Sequence, residues 1–173
     1  MRLQHFSQEG VCDEMADTIS TLQKDSNVKG LILDLRNNGG GLLEEARCIV
    51  GLFIGKNHLV MYLKDLEPPL FPGLPDGHGV ASNANQVTEL PLVILINAKS
   101  ASASEVVSGA LQGYHRAAIV GERSYGKGTA LSYSQGDNGD LKNVTTIKTI
   151  GMFYLPPAVG DQIHTNQSVG IEP

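Results

Sequence analysis

Short apolar runs alternate along this sequence with segments of helical periodicity. The runs at 30–35 and 91–96 are rich in leucine and isoleucine, which suits strands buried on both faces of a parallel sheet. Apolar residues spaced by three and four predict helices at about 11–24, 42–53 and 102–114. This alternating order predicts an α/β domain with a mostly parallel sheet and flanking helices.

Further strands are predicted at 2–6, 57–63, 117–120 and 143–155. Proline and glycine crowd residues 65–90, which predicts a long irregular insertion of the kind that is often functional. The 173 residues, 41% of them hydrophobic, suffice for one packed domain.

Charge and hydropathy argue against several function classes. The net charge is −5 and lysines and arginines form no run, so nucleic-acid binding is not expected. The apolar stretches are far shorter than the roughly 20 residues that a membrane span needs. The first residues contain no long apolar segment, so no signal peptide is predicted in this chain.

Two cysteines, Cys12 and Cys48, are too few for a disulfide framework. Both lie in predicted helices, where we expect two half-buried free thiols, with a single bridge as the alternative. Cysteines and histidines show no metal-ligand spacing, so neither a metal nor a cofactor is predicted.

The loops at 36–41, 97–102 and 121–128 each follow a predicted strand of the sheet. Ligands of such sheets usually bind at the carboxyl ends of the strands. Because the three loops share that edge, we expect them to form one site.

Ser102, just before a predicted helix, is open to two interpretations. With Glu105 three residues later it matches a capping box, which is a purely structural feature. It could also be a nucleophile, because the outward N–H groups and the dipole of a helix N-terminus would stabilise an oxyanion.

A serine nucleophile needs a base, and Lys127 is a better candidate than any of the five histidines. Gly126 and Gly128 flank this lysine and allow a close approach to another segment. A lysine amine accepts a proton only when it is neutral, which requires apolar surroundings. Read alone, Lys127 could equally be a solvated loop residue.

Two glycine-rich segments are each open to two structural interpretations. The segment 121–127 fits the phosphate-loop pattern G-x-x-x-x-G-K, but Gly128 stands where Ser or Thr would hold magnesium, and a strand-like segment follows. The glycines Gly39, Gly40 and Gly41 could form a tight turn or present N–H groups to an oxyanion.

Together these motifs resemble the carboxyl-terminal processing, or tail-specific, serine proteases. Residues 33–41 read Leu-Asp-Leu-Arg-Asn-Asn-Gly-Gly-Gly, with Gly39 at the family's proline position. Residues 102–105 match the family's Ser-Ala-Ser-Glu, and Lys127 follows Ser102 by the family's 25 residues (127 − 102). The end of the chain, 169–173, resembles the family's Gly-Ile-Glu-Pro-Asp.

The resemblance implies a crotonase-like, Clp-protease-like fold and a serine endopeptidase with a Ser-Lys dyad. Ser102 would be the nucleophile, with Ser104 as a less favoured competitor, and Lys127 the base. The oxyanion hole would use the backbone N–H of Ala103 with that of Gly40 or Gly41.

The resemblance further implies substrates, a domain context and a location. Family substrates are proteins with exposed, often apolar C-termini, and members generally work outside the cytoplasm. Residues 1–173 would be a catalytic core, a fragment of a longer chain whose full-length form also carries a PDZ domain.

One departure keeps an alternative function open. Leu131 occupies the position where many members have a glutamine that orients the dyad. The chain could therefore be a degenerate member that binds C-terminal peptides without cutting them. A coenzyme A-dependent acyl-group enzyme on the same fold is a third hypothesis.

Overall fold

The computed structural model describes residues 1–65, 78–135, 144–156 and 165–173. Its helices are α1 (Val11–Leu22), α2 (Leu43–Ile54) and α3 (Ala103–Gly113). Its strands are β1 (Leu31–Asp34), β2 (Leu59–Asp65), β3 (His78–Ala81), β4 (Leu92–Ile96), β5 (Ala117–Gly121), β6 (Thr129–Gln135) and β7 (Thr145–Tyr154).

Strands β1, β4 and β5 form the predicted parallel sheet, in the order β1-β4-β5. Leu33, Ile94 and Ile119 lie side by side in its register, and all three are buried. The opposite face is more open than predicted, because Ile32 is 55% and Val120 47% exposed. Among the described residues, this sheet is therefore not buried on both faces, contrary to the prediction from its continuous apolar runs.

A second sheet is antiparallel, in the order β3-β2-β7-β6. Its strands were predicted individually, apart from β3, but their assembly into a separate sheet was not. Strand β6 lies at one edge of this sheet among the described residues.

The helices bury apolar stripes against a common core. Ile19 of α1, Ile49 and Phe53 of α2 and Leu111 of α3 are completely buried. Helix α2 packs against both α1 and α3, and α3 connects β4 to its parallel neighbour β5. This crossover fixes the start of α3 at the carboxyl edge of the parallel sheet.

Cys12 and Cys48 form a disulfide, so the prediction of two free thiols is wrong. Cys12 lies in the first turn of α1 and Cys48 near the middle of α2. Glu45 lies at the same junction, where its carboxylate accepts hydrogen bonds from the N–H groups of Gly10 (3.1 Å) and Cys12 (2.7 Å). The pairing depends on how two helices pack, which helical periodicity does not encode.

We expect reduction of this disulfide to lower the free energy of unfolding by about 3–4 kcal/mol, because the unfolded chain regains loop entropy. Urea unfolding with and without dithiothreitol measures the effect. The double variant Cys12→Ala/Cys48→Ala is the control, since its stability should not respond to the reductant. An unchanged midpoint for the reduced natural sequence would contradict the pairing.

Two segments differ from prediction. Residues 2–6 form no strand; only Arg2 and Phe6 make isolated parallel bridges, to Asp34 and Gly41. The predicted insertion at 65–90 contains the short strand β3, paired with β2, while residues 66–77 lie outside the described residues. No helix in the described parts of the chain is long and apolar enough to cross a membrane.

Candidate active site

The three loops predicted to converge do meet at the carboxyl edge of the parallel sheet. The Ala101 N–H donates a hydrogen bond to the carbonyl of Asn38 (3.0 Å), which joins the loops at 97–102 and 36–41. The Tyr125 N–H donates to the carbonyl of Ser100 (2.9 Å), which joins the loop at 121–128 to the same cluster. Parallel pairing of β1, β4 and β5 brings all three loops to one edge.

A cavity of about 570 Å³ opens beside these loops. Ser102 and Lys127 both line it, together with residues 39–44, Ser7 and the first half of β6. Gly40 and Gly41 are among these lining residues, whereas Ala103 is buried immediately behind Ser102. The candidate nucleophile and the candidate base therefore face the same space.

Ser102 has a strained backbone at the entry to α3. Its φ of 56° and ψ of −117° lie where non-glycine residues are rare, and such strain concentrates at functional sites. Gly40 packs against this turn, because a Cβ there would lie 2.6 Å from the Ala101 oxygen and 2.8 Å from the Ala103 nitrogen. Only glycine fits at position 40 without moving the turn.

Ser104, the competing serine, has a different environment. It is completely buried and its Oγ donates a hydrogen bond to the carbonyl of Asn38 at 2.9 Å. It is not among the residues lining the cavity. Its hydroxyl secures the loop at 36–41, here called the glycine loop, to α3, whereas Ser102 borders the cavity.

Two of the three predicted oxyanion donors have backbone N–H groups without a partner among the described residues. The Gly40 N–H donates to Oδ1 of Asn38 (2.9 Å). The N–H groups of Gly41 and Ala103 donate to no group among the described residues. The bridge between Gly41 and Phe6 is made by the carbonyl of Gly40 and the N–H of Leu42. The N–H of Gly41 itself therefore points away from Phe6. Gly41 and Ala103 are thus the better placed of the predicted oxyanion donors.

Glu105 connects the nucleophile turn to the residues around Lys127. Its completely buried carboxylate accepts four hydrogen bonds, from the N–H groups of Ser102 (2.8 Å), Gly126 (2.7 Å) and Lys127 (2.9 Å) and from Oγ of Ser124 (2.6 Å). The capping-box pattern anticipated only the bond to Ser102. The other three come from a loop about 20 residues away in sequence, so no local signal could have revealed them.

Residues 124–128, here called the lysine loop, pack tightly against the C-terminal segment. A Cβ on Gly126 would lie 3.1 Å from the nitrogens of Val169 and Gly170, and one on Gly128 would lie 2.9 Å from that of Gln167. The prediction that these glycines allow a close approach is confirmed. Strand β6 follows Gly128 where a phosphate-binding loop requires a helix, which rules out that alternative.

The whole chain, residues 1–173, matches the sequence profile of peptidase family S41. The chain belongs to this family. It is 35% identical over 174 residues to the chloroplastic carboxyl-terminal-processing peptidase 3 of Arabidopsis thaliana, covering 100% of this chain and 30% of that protein. It is also 35% identical over 179 residues to the carboxy-terminal-processing protease of Bartonella bacilliformis, covering 100% of this chain and 37% of that protein.

The S41 chain has the expected α/β fold. The photosystem II D1 C-terminal processing protease, 28% identical, superimposes with a TM-score of 0.74 over 99% of this chain and 40% of that one. The chain thus spans about a third of the length of the curated relatives it matches. The resemblance inferred from three short motifs is confirmed at the level of family and fold.

An ion pair supports the S41 glycine loop where it leaves β1. The Arg36 guanidinium donates to both oxygens of Asp34 (2.9 and 2.8 Å), and this hydrogen bonding lowers the pKa of Asp34 from 3.8 to about 2. Beyond the pair, the Asn37 N–H donates to Oδ1 of Asn97 (2.9 Å). The loop is therefore held at its start as well as at Asn38.

No histidine whose side chain is described lines the cavity of this S41 chain. His5, His58 and His115 do not line the cavity, and the side chains of His78 and His164 lie outside the described residues. Among the described residues, no cluster of histidine, cysteine and acidic side chains could hold a metal ion. Leu131, at the position where the resemblance implies a glutamine, lies on β6 and lines the cavity.

Proposed function

We propose that this chain is the catalytic core of a serine endopeptidase that uses Ser102 as nucleophile and Lys127 as base. The observation that supports this most strongly is the shared cavity: a serine in strained conformation at a helix N-terminus faces it together with a glycine-flanked lysine. Membership of family S41 gives independent support.

In the proposed mechanism, Oγ of Ser102 attacks the scissile carbonyl carbon while neutral Nζ of Lys127 removes the hydroxyl proton. The tetrahedral oxyanion accepts hydrogen bonds from the Gly41 and Ala103 N–H groups, and the α3 dipole adds to this stabilisation. Lys127 then returns the proton to the leaving amine as the C–N bond breaks. Water hydrolyses the acyl-enzyme by the same proton transfers in reverse.

We further propose protein substrates with apolar C-terminal tails. Leu42, Leu43, Leu131 and Tyr133 supply apolar surface to the cavity, which suits apolar side chains near the cleaved bond. Strand β6, an edge strand among the described residues, forms one wall of this cavity. An extended substrate could pair with that edge through its main chain.

The proposed location is outside the cytoplasm, in an oxidising compartment. The Cys12–Cys48 disulfide supports this, because disulfides persist in oxidising environments and are rare in the cytosol. A PDZ domain in the full-length protein remains a prediction from the resemblance.

Ser102→Ala tests the assignment directly. We expect it to lower kcat/KM on an unfolded protein or an apolar-tailed peptide by at least about 10³-fold, with an unchanged circular dichroism spectrum. Ser104→Ala is the matched control and should keep most of the activity, because its hydroxyl donates into the fold rather than to the cavity. Loss of activity in the control alone would reverse the two roles.

The alternative is a binding module that holds C-terminal peptides without cutting them. Leu131 favours it, because it cannot supply the hydrogen bond of the usual glutamine. In that case the natural sequence would bind an apolar-tailed peptide without turnover, and Ser102→Ala would leave the affinity unchanged. Peptide titration alongside the activity assay separates the two functions.

A further inference from the structure

The backbone N–H groups of the lysine loop are all engaged, and two side chains account for three of them. Glu105 accepts those of Gly126 and Lys127 on one side. Oε1 of Gln167 accepts that of Gly128 on the other side, at 2.7 Å. The remaining two, of Ser124 and Tyr125, donate to backbone carbonyls. Lys127 is therefore flanked by peptide groups fixed from opposite directions.

Gln167 is itself held in a compact turn of the C-terminal segment. Its N–H donates to Oγ1 of Thr165 (3.1 Å), and the Asn166 carbonyl accepts hydrogen bonds from the N–H groups of Val169 (3.0 Å) and Gly170 (2.9 Å). The same turn reaches the lysine loop again, where the Ser168 N–H donates to the carbonyl of Gly126 at 2.8 Å. The acceptor that Gln167 presents to Gly128 is thus preorganised.

We propose that Gln167 is a positioning residue for Lys127, acting through the Gly128 peptide group. This inference rests on the proposed function and extends it to a residue far away in the sequence. Because a backbone N–H can only donate, Gln167 must present its amide oxygen, and a side chain without an acceptor cannot replace it. Leu131 supplies no polar group to hold the lysine, which leaves Glu105 and Gln167 as the side chains that accept hydrogen bonds from the N–H groups of the loop.

Position matters because a lysine base must lie within hydrogen-bond reach of the serine oxygen. A displacement of about 1 Å can cost about 100-fold in rate. With the Gly128 N–H released and only the Gly128 carbonyl still bonded, to the Phe153 N–H (2.9 Å), the Lys127 side chain would sample more positions, which lowers the fraction of productive encounters without affecting substrate affinity. The effect should therefore fall on kcat and spare KM.

The experiment compares Gln167→Ala and Gln167→Glu with the natural sequence. We expect Gln167→Ala to lower kcat about 10-fold, with KM within about twofold, and to speed amide exchange at Gly128 at least about 10-fold. Gln167→Glu keeps an acceptor oxygen and should retain most of kcat at high pH. Its added negative charge favours the protonated amine, so the acidic limb of its pH–rate profile should move to higher pH.

Gln112→Ala is the matched control, because Nε2 of Gln112 donates to the carbonyl of Glu172 (2.7 Å) and so ties the same segment to α3 without touching the lysine loop. It should leave kcat and Gly128 exchange unchanged. Equal losses in both alanine variants, or an unchanged kcat in Gln167→Ala, would overturn the proposal. Should Gln167→Ala fail to fold, a Gln167→Glu pH profile identical to that of the natural sequence would overturn it.

Amide exchange also separates this proposal from the proposed function. If the natural sequence shows no Ser102-dependent turnover, the proposed function fails. The Gly128 exchange rate then still decides whether Gln167 holds the loop: faster exchange in Gln167→Ala supports the anchorage, and unchanged exchange refutes it.

Discussion

We expect Lys127→Met to lower the proposed peptidase activity by at least about 10³-fold and to leave the fold intact. Methionine is similar in length to lysine and preserves the packing of a half-buried side chain, but it cannot accept the proton of the Ser102 hydroxyl. Without a base, serine is a weak nucleophile. Steady-state kinetics on an apolar-tailed peptide, with thermal unfolding measured in parallel, give both quantities.

Lys99→Met is the control for the loss of a positive charge at this edge of the sheet. Lys99 is exposed in the neighbouring loop and is not among the cavity-lining residues. The Lys99→Met variant should retain nearly full activity. Undiminished turnover by Lys127→Met would refute the dyad, even if Ser102 proved essential.

Glu105→Ala is expected to have the largest combined effect on stability and activity. It leaves four donors, three of them in buried hydrogen bonds, without their acceptor, and hydrogen bonds to charged groups contribute about 1.5–3 kcal/mol each. Allowing for relaxation and water entry, we expect the free energy of unfolding to fall by about 4 kcal/mol. In the fraction that remains folded, kcat should fall at least about 100-fold, because the Ser102 turn and the lysine loop lose their common anchor.

Glu45→Ala distinguishes loss of stability from loss of positioning. Glu45 is also a buried carboxylate that accepts backbone hydrogen bonds, but it accepts them from Gly10 and Cys12 at the start of α1 rather than from the Ser102 turn or the lysine loop. It should destabilise the protein and leave kcat of the folded enzyme unchanged. Urea unfolding together with kcat measured well below the transition separates the effects. An unchanged kcat in Glu105→Ala would show that the buried carboxylate is only structural.

Much of the fold could be predicted because its signals are local. Apolar runs gave β1 and β4, and three-to-four spacing gave all three helices to within a few residues. The antiparallel sheet could not be predicted as a unit, because β2 pairs with both β3 and β7, and β7 lies about 80 residues further along the chain. Such pairing depends on the packing of the whole molecule rather than on any single segment.

The candidate site likewise combines features that local sequence predicts with features that depend on tertiary packing. The 25-residue spacing of Ser102 and Lys127 and the three loops at one sheet edge follow from sequence motifs and from parallel topology. The acceptors around them do not: Glu105 accepts the Lys127 N–H from 22 positions away, and Gln167 accepts the Gly128 N–H from 39 positions away. These hydrogen bonds require segments distant in sequence to lie within about 3 Å of each other.

The sequence by itself determined the family and the α/β core, because periodicity and short motifs are properties of nearby residues, and the same motifs are the basis for proposing Ser102 and Lys127 as the catalytic pair. Only the tertiary structure decided that Cys12 pairs with Cys48, that Glu105 joins the nucleophile turn to the lysine loop, and that Gln167 holds the far side of that loop. Each is a contact between elements whose relative placement is set by core packing, so no local pattern encodes it.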